Sequence, residues 1–213
     1  DFKASTDDST FAVINSDNRN AFVKYNIGSL PAFITTEELT EGFVKGPFLD
    51  GVTYKVVKVS SVKRDTTYAA RASHILIRWS DDSEAAKIEA KEKARNILKE
   101  IKAGADFAAK AREHGTDGTA SQGGDLGWFT SGQMVKPFEK AVFDATKTGV
   151  LNDVVETDFG YHIISVTNTK DNRAYELAVI EREITPSDAS INESLRKAES
   201  FATDLSGIEK FTK

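Results

Sequence analysis

Two histidines pose the first chemical question. His74 lies in Ala-Ser-His-Ile-Leu-Ile (72–77) and His162 in Phe-Gly-Tyr-His-Ile-Ile (159–164), each inside a short aliphatic or β-branched run. Such runs read as strands, and if the two strands pair, the imidazoles meet. Facing imidazoles can hydrogen-bond, which fixes their tautomers and ring positions. Between them in the chain stand an acid, Asp117, and three apolar residues, Leu126, Met134 and Phe138, with enough turn residues to wrap into a small pocket. A nearby acid would polarise the imidazoles, and the apolar side chains would form a cradle. The same residues admit other readings: satisfied core histidines with an ordinary loop acid, or a His/His/Asp facial triad for non-haem iron. Side chains packed together on neighbouring strands suit a hydrogen bond better than a metal, so no metal is expected.

Composition narrows the classes. Lys plus Arg (28) against Asp plus Glu (33) gives a net charge of −5, and no basic block is present that could neutralise a row of phosphates. Nucleic acid is therefore not an expected partner. No apolar run approaches the roughly 18–20 residues needed to span a bilayer. Cysteine is absent, which rules out disulfides, thiol catalysis and thiolate metal sites. Gly123-Gly124 is followed by no Lys-Ser/Thr and fits no nucleotide-binding fingerprint.

The elements that must position these residues follow from periodicity. Residues 1–22 read as an irregular lead-in. Leu39 to Val44 reads as a helix or turn, Gly46-Pro47 as a turn, Val52 to Val59 as a strand, and Lys63 to Tyr68 as a polar connector. In 72–78 the alternation places His74 and Leu76 on one face. Asp81 with Glu84 has capping-box spacing for a helix carrying Ala90, Ala94, Ile97 and Ile101 and stopping at Gly104. Asp106 caps a second helix ending at Gly115, and 115–127 reads as loop. Pro137 opens a third helix, through about Ala145, with Phe138 and Val142 on one side. Residues 161–167 form a strand with His162, Ile164 and Val166 on one face. The order β, α, α, loop, α, β describes a compact α+β domain. Beyond the polar stretch Asn168 to Arg173, Tyr175 to Ile184 reads as a strand and Asp188 to Leu205 as a helix.

A repeat runs through the flanks. Residues 45–59 parallel 152–166, with Tyr54 against Tyr161 and Lys55 against His162, and Ala178 to Phe211 follows the strand, turn, long-helix order of Ala72 to Phe107. The expectation is three parts: 1–68 as the C-terminal half of a degenerate repeat, 69–168 as the active domain, and 171–213 as the N-terminal half of a further one. The two halves pair, within one chain or between two, into a second, inactive lobe.

On these ordered motifs, together with Gly-Gly-Asp-Leu-Gly-Trp-Phe (123–129) and Gly-Gln-Met-Val-Lys-Pro-Phe (132–138), the segment 69–168 resembles the parvulin family of peptidyl-prolyl cis/trans isomerases. It is most similar to the domains of bacterial extracytoplasmic foldases. The resemblance implies a small antiparallel sheet surrounded by helices and rotation about X–Pro bonds. It implies His74, Asp117 and His162 at the catalytic centre, and Leu126, Met134, Phe138, Thr157 and Phe159 around the substrate. No cofactor is implied. An X–Pro bond turns over a barrier of roughly 18–20 kcal/mol, set by amide resonance, and no bond need break. A catalyst must favour the twisted amide, so an apolar grip on the pyrrolidine ring with organised imidazoles suits the task without a nucleophile. The loop 78–84 carries Arg78 against Asp81, Asp82 and Glu84, which would repel a phosphorylated substrate. Unphosphorylated proline-containing segments of unfolded or exported proteins are the implied partners, with chaperone-like flanks and self-association through the half-repeats. The chain reads as a fragment of a larger bacterial protein, periplasmic or extracytoplasmic, with a membrane anchor in the full-length form left open. The alternative is a peptide-binding chaperone module without turnover.

Overall fold

The computed structural model describes residues 1–34 and 39–208, with side chains to residue 203 in the final helix. It divides into two compact units, one built from Asp1–Ala21, Val44–Lys58 and Ala178–Lys213, the other from Phe22–Phe43 and Val59–Leu177. The smaller unit thus draws on both flanks, while 22–43 and 59–68 group with the central segment.

The smaller unit opens with a helix, α1 (Asp8–Asn15), where an irregular lead-in was expected. Its cap explains it: the Asp7 carboxylate accepts from the Thr10 N–H at 3.0 Å, so the acids that looked like loop polarity hold a helix start. The N-terminal segment is tied to Lys58. That buried ammonium donates to the carbonyls of Phe2, Lys3 and Ser5 and pairs with Asp8 Oδ1 at 2.6 Å. Strand β2 (Val44–Asp50) pairs antiparallel with the start of β3 (Thr53–Ile77). Gly46-Pro47 is therefore not a turn. It marks a bulge inside β2, where the register shifts between Lys45 and Phe48. The chain reverses instead at Asp50–Thr53, where Gly51 takes φ +61°. The unit closes with the helix Asp188–Ile208, whose Ile191, Leu195 and Phe201 are exposed.

The larger unit carries the segment that matters for chemistry. Here β1 (Phe22–Asn26) is a neighbour of β7 (Gly160–Glu183), and β7 of β3. Strand β4 (Asp125–Thr130) pairs antiparallel with β3; β5 (Gly149–Val150) and β6 (Val155–Thr157) pair antiparallel with β7. Both stretches read as polar connectors, Lys63 to Tyr68 and Asn168 to Arg173, are strand. Their polar side chains bond one another: Arg64 donates to Asn172 at 2.9 Å, and Asn172 to the Asp65 carbonyl at 2.7 Å.

Side-chain alternation divides the core. Ile75, Ile77, Tyr161 and Ile163 bury against α2 (Glu84–Lys102), through Ala90, Ala94, Ile97, Leu98 and Ile101, with Ala111 of α3 (Phe107–His114) in the same cluster. Ala70, Ala72, Ile164 and Val166 cluster with Phe129 and with Phe138 and Val142 of α4 (Lys136–Phe143). Each Ile or Leu buried in this way contributes about 1.5–3 kcal/mol. The N-cap of α2 is Ser83, whose hydroxyl accepts from Ala86 N–H at 3.2 Å, rather than Asp81, which accepts from the Ser83 N–H. The helix begins at Glu84, so Ser83 is the residue immediately before it and its oxygen reaches the N–H of the third helical residue, which Asp81, two residues further back, does not. The caps at Asp106 and Gly115 and the proline in the first turn of α4 stand where the spacing puts them. Numbered in chain order, the last helix is α5.

Candidate active site

His74 on β3 and His162 on β7 point to the same face, and their Nδ1 atoms lie 2.9 Å apart with the rings stacked at 20°. Among the described residues the buried polar side chains are Lys58, His74, Thr157 and His162, so three of them are gathered here. The outer nitrogens are also engaged. His74 Nε2 lies 3.0 Å from Asp117 Oδ2, and His162 Nε2 lies 2.8 Å from Thr157 Oγ1.

These contacts define a direction. A carboxylate only accepts, so His74 must donate from Nε2; a neutral His74 then presents a lone pair at Nδ1 and accepts from His162 Nδ1–H. His162 Nε2 is left as an acceptor and takes the Thr157 hydroxyl proton. The Thr157 oxygen accepts in turn from the Phe159 backbone N–H at 3.2 Å. The two imidazoles thus hold opposite tautomers.

Burial keeps both rings neutral. It lowers His74, with the Asp117 carboxylate opposing it through a hydrogen bond and its charge, and burial wins. It lowers His162 further, to about 4, aided by the neighbouring His74. Burial alone would raise Asp117, but the hydrogen bond from His74 and the donors of Thr119 outweigh it and hold the carboxyl below its ordinary value.

The imidazoles form part of the wall of a cavity of about 380 Å³, lined also by Leu76, Arg78, Asp117, Leu126, Gln133, Met134, Val135, Phe138 and Phe159. Phe138 is buried and presents its ring edge-on to both histidines, with centroids at 5.6 and 5.3 Å, so it serves core and cavity at once. Leu126 and Met134 are half-buried against the same cluster. Phe159 stands exposed at the rim. Thr157 is brought in as well, but behind His162 and off the cavity wall. Sequence reasoning missed Arg78, Gln133 and Val135 on the wall. Leu76 was signalled by its alternation with His74, Gln133 and Val135 flank Met134 in sequence, and Arg78 was read only for its charge in the loop 78–84.

Two glycines let the backbones close around the pair. A Cβ on Gly124, at φ +80°, would stand 2.1 Å from the His74 carbonyl oxygen; one on Gly160, at φ +140°, would stand 2.4 Å from that of Ile77. Gly124 also accepts the His74 backbone N–H at 2.8 Å. As for a metal, all four imidazole nitrogens already have partners, and among the described residues no group of three or more His, Asp or Glu side chains is arranged so that it could hold an ion.

An α+β domain of this topology, with paired neutral imidazoles beside an apolar cavity, is a parvulin-type peptidyl-prolyl cis/trans isomerase domain. The chain belongs to the family of the PPIC-type PPIase domain, whose model matches residues 54–170. The foldase protein PrsA of Geobacillus kaustophilus is 43% identical over 106 residues, which is 49% of this chain and 34% of that protein. The chaperone SurA of Burkholderia thailandensis is 40% identical over 98 residues, 46% of this chain and 21% of that one. Among solved structures, PrsA from Bacillus anthracis is similar with a TM-score of 0.41 and 29% identity, covering 62% of this chain and 50% of its own. The chain spans about a third or less of the length of these two curated relatives.

Proposed function

We propose that this chain catalyses cis/trans isomerisation of unphosphorylated X–Pro bonds in unfolded or exported polypeptides. The observation that carries this is the apolar cavity closed on one side by a neutral, mutually hydrogen-bonded imidazole pair. Leu126, Met134 and Phe138 would hold the pyrrolidine ring while the preceding carbonyl swings through the twisted form, in which the proline nitrogen recovers its lone pair. His74, His162 and Asp117 form the catalytic group in this reading. Every imidazole nitrogen has a partner, so the histidines organise the wall and hold the field felt by the rotating carbonyl, without taking up a proton. Thr157 supports the pair from behind, and Phe159 bounds the entrance. In the sequence of the loop 78–84 the single arginine, Arg78, is outnumbered by Asp81, Asp82 and Glu84, which argues for substrates without phosphate.

Relatives named foldase and chaperone support an unfolded client and an extracytoplasmic setting. No helix among the described residues is long and apolar enough to cross a membrane. The flanking segments are read as halves of a degenerate repeat that hold clients. Leu49, Val52 and Ile184 in the smaller unit are exposed, as is the apolar side of α5, which suits such a surface and also self-association.

A protease-coupled isomerisation assay on a short Ala-X-Pro-Phe peptide tests the reading. Catalysis by the intact chain, slowed by both Met134→Ala and Asp117→Ala, is the expected result. Binding of the peptide without acceleration would favour the chaperone module, and rates unchanged in both variants would move the site elsewhere.

A further inference from the structure

Asp117 fixes the direction of the imidazole chain only if its carboxylate stays where His74 can reach it, and its own backbone does not hold it there. The described structure gives it one other side-chain partner. Thr119 Oγ1 lies 2.9 Å from Asp117 Oδ2 and 3.1 Å from Oδ1, and the Thr119 backbone N–H lies 3.4 Å from Oδ2. The Thr119 carbonyl in turn accepts from Gln122 N–H and from Gly124 N–H, each at 2.9 Å, and Gly124 is the residue bonded to the His74 backbone. At its other end the loop is pinned to β3, where Thr116 donates to the Leu76 carbonyl from both its backbone N–H (3.0 Å) and its hydroxyl (2.8 Å). Thr119 therefore sits at the one point where the loop's attachment to the histidine strand and the carboxylate's orientation are joined. It does not line the cavity.

We infer that Thr119 is a positioning residue for the isomerisation, holding the Asp117 carboxylate so that His74 is kept as the Nε2–H tautomer and His162 as the Nδ1–H tautomer. The physical reason is that the two hydrogen bonds His74–His162 and His162–Thr157 can each run in either direction, while the Asp117 carboxylate only accepts and the Phe159 N–H only donates. Reversed, His74 would donate from Nδ1 to His162, His162 from Nε2 to Thr157, and His74 Nε2 would offer a lone pair to a carboxylate that has no proton to give. The anion forbids that state as long as it faces His74. A carboxylate released by loss of the Thr119 hydroxyl can turn toward solvent, since Asp117 lies at the edge of the site, and the reversed state then becomes accessible.

This inference rests on the proposed isomerase reading, and its test has one arm that does not. Long-range ¹H–¹⁵N correlation spectra report which ring nitrogen of each histidine carries the proton. In the wild-type chain they should show His74 and His162 in opposite single tautomers. Thr119→Val should give averaged or mixed tautomers for both, and Thr119→Ser should restore the wild-type pattern. In the isomerisation assay Thr119→Val should lower kcat about three- to tenfold, the range expected for the net contribution of one ordinary hydrogen bond. KM should stay unchanged, because the residue does not touch the cavity, and Thr119→Ser should be close to wild type. Thr119→Ala, which adds no methyl group to the loop, serves if the valine variant does not fold. A wild-type tautomer pattern in the valine or alanine variant overturns the inference. So does a serine variant as impaired as valine, or a change in KM alone. A wild-type chain with the stated tautomers but no isomerase activity would sink the functional reading while leaving the positioning role intact.

Discussion

Withholding His162 from protons has a measurable cost in acid. Its folded-state pKa is about 4 against the ordinary 6.5 of a histidine, because burial and the adjacent His74 disfavour the imidazolium. Below pH 6.5 the unfolded chain takes up a proton that the folded chain refuses. Stability is therefore full above about pH 6.5 and falls as the pH drops from there to about 4, where the folded form begins to protonate too. Integrated over that window, the loss from this one group approaches about 3 kcal/mol, and about 2 kcal/mol of it is reached by pH 5. His74 is lowered as well and adds loss of the same sign. Asp117 is depressed below its ordinary 3.8, so the stability it contributes is lost only at still lower pH and does not enter between pH 7 and 5. Urea unfolding followed by tryptophan fluorescence measures this in the right place, because the chain's two tryptophans, Trp79 and Trp128, both belong to the larger unit. The midpoint should be flat from pH 8 to 7 and fall steeply to pH 5. His162→Gln, which cannot titrate, should be less stable throughout but show a much shallower slope. A wild-type change under about 0.5 kcal/mol between pH 7 and 5, or an equal slope in the glutamine variant, would refute the reasoning.

Three further outcomes follow from particular contacts. Phe138→Ala should cost about 3–5 kcal/mol of stability, because it empties a buried site shared by core and cavity, whereas Met134→Ala, at a half-buried position, should slow isomerisation with a much smaller shift in the urea midpoint. Gly124→Ala should destabilise by more than about 2 kcal/mol and shift the His74 backbone amide resonance, since the new Cβ meets the His74 carbonyl at a φ that alanine avoids. Lys58→Met should cost about 3–5 kcal/mol in the smaller unit by leaving the Asp8 carboxylate without its partner, read as faster amide exchange and proteolysis over residues 1–15 with the tryptophan signal unchanged.

The histidine strands, the helix spacing and the cup residues were legible because each rests on a local period: two for His74 and Leu76, about three and a half for Ala90 to Ile101. What was not legible depended on partners distant in sequence. Lys63 to Tyr68 looks like a connector until Asp65 and Arg64 meet Asn172, more than a hundred residues away. The helix at Asp8–Asn15 is short, and its fixed place owes as much to Lys58 as to its own cap. Gly46-Pro47 carries the residues of a turn, yet here they form a bulge within a pairing that only β3 defines. In the site, Asp117 was found through its place in a motif, while the Thr119 hydroxyl beside it could not be told from any other loop threonine.

The two glycines against His74 and Ile77 bear on any attempt to move this chemistry elsewhere. Both abut carbonyls of a single strand, on either side of Leu76, so what they supply is clearance between main chains and not a functional group. Grafting the imidazoles, the acid and the greasy wall onto another scaffold would transfer every side chain and still leave the rings too far apart, unless that scaffold also has bare α-carbons at the same two points.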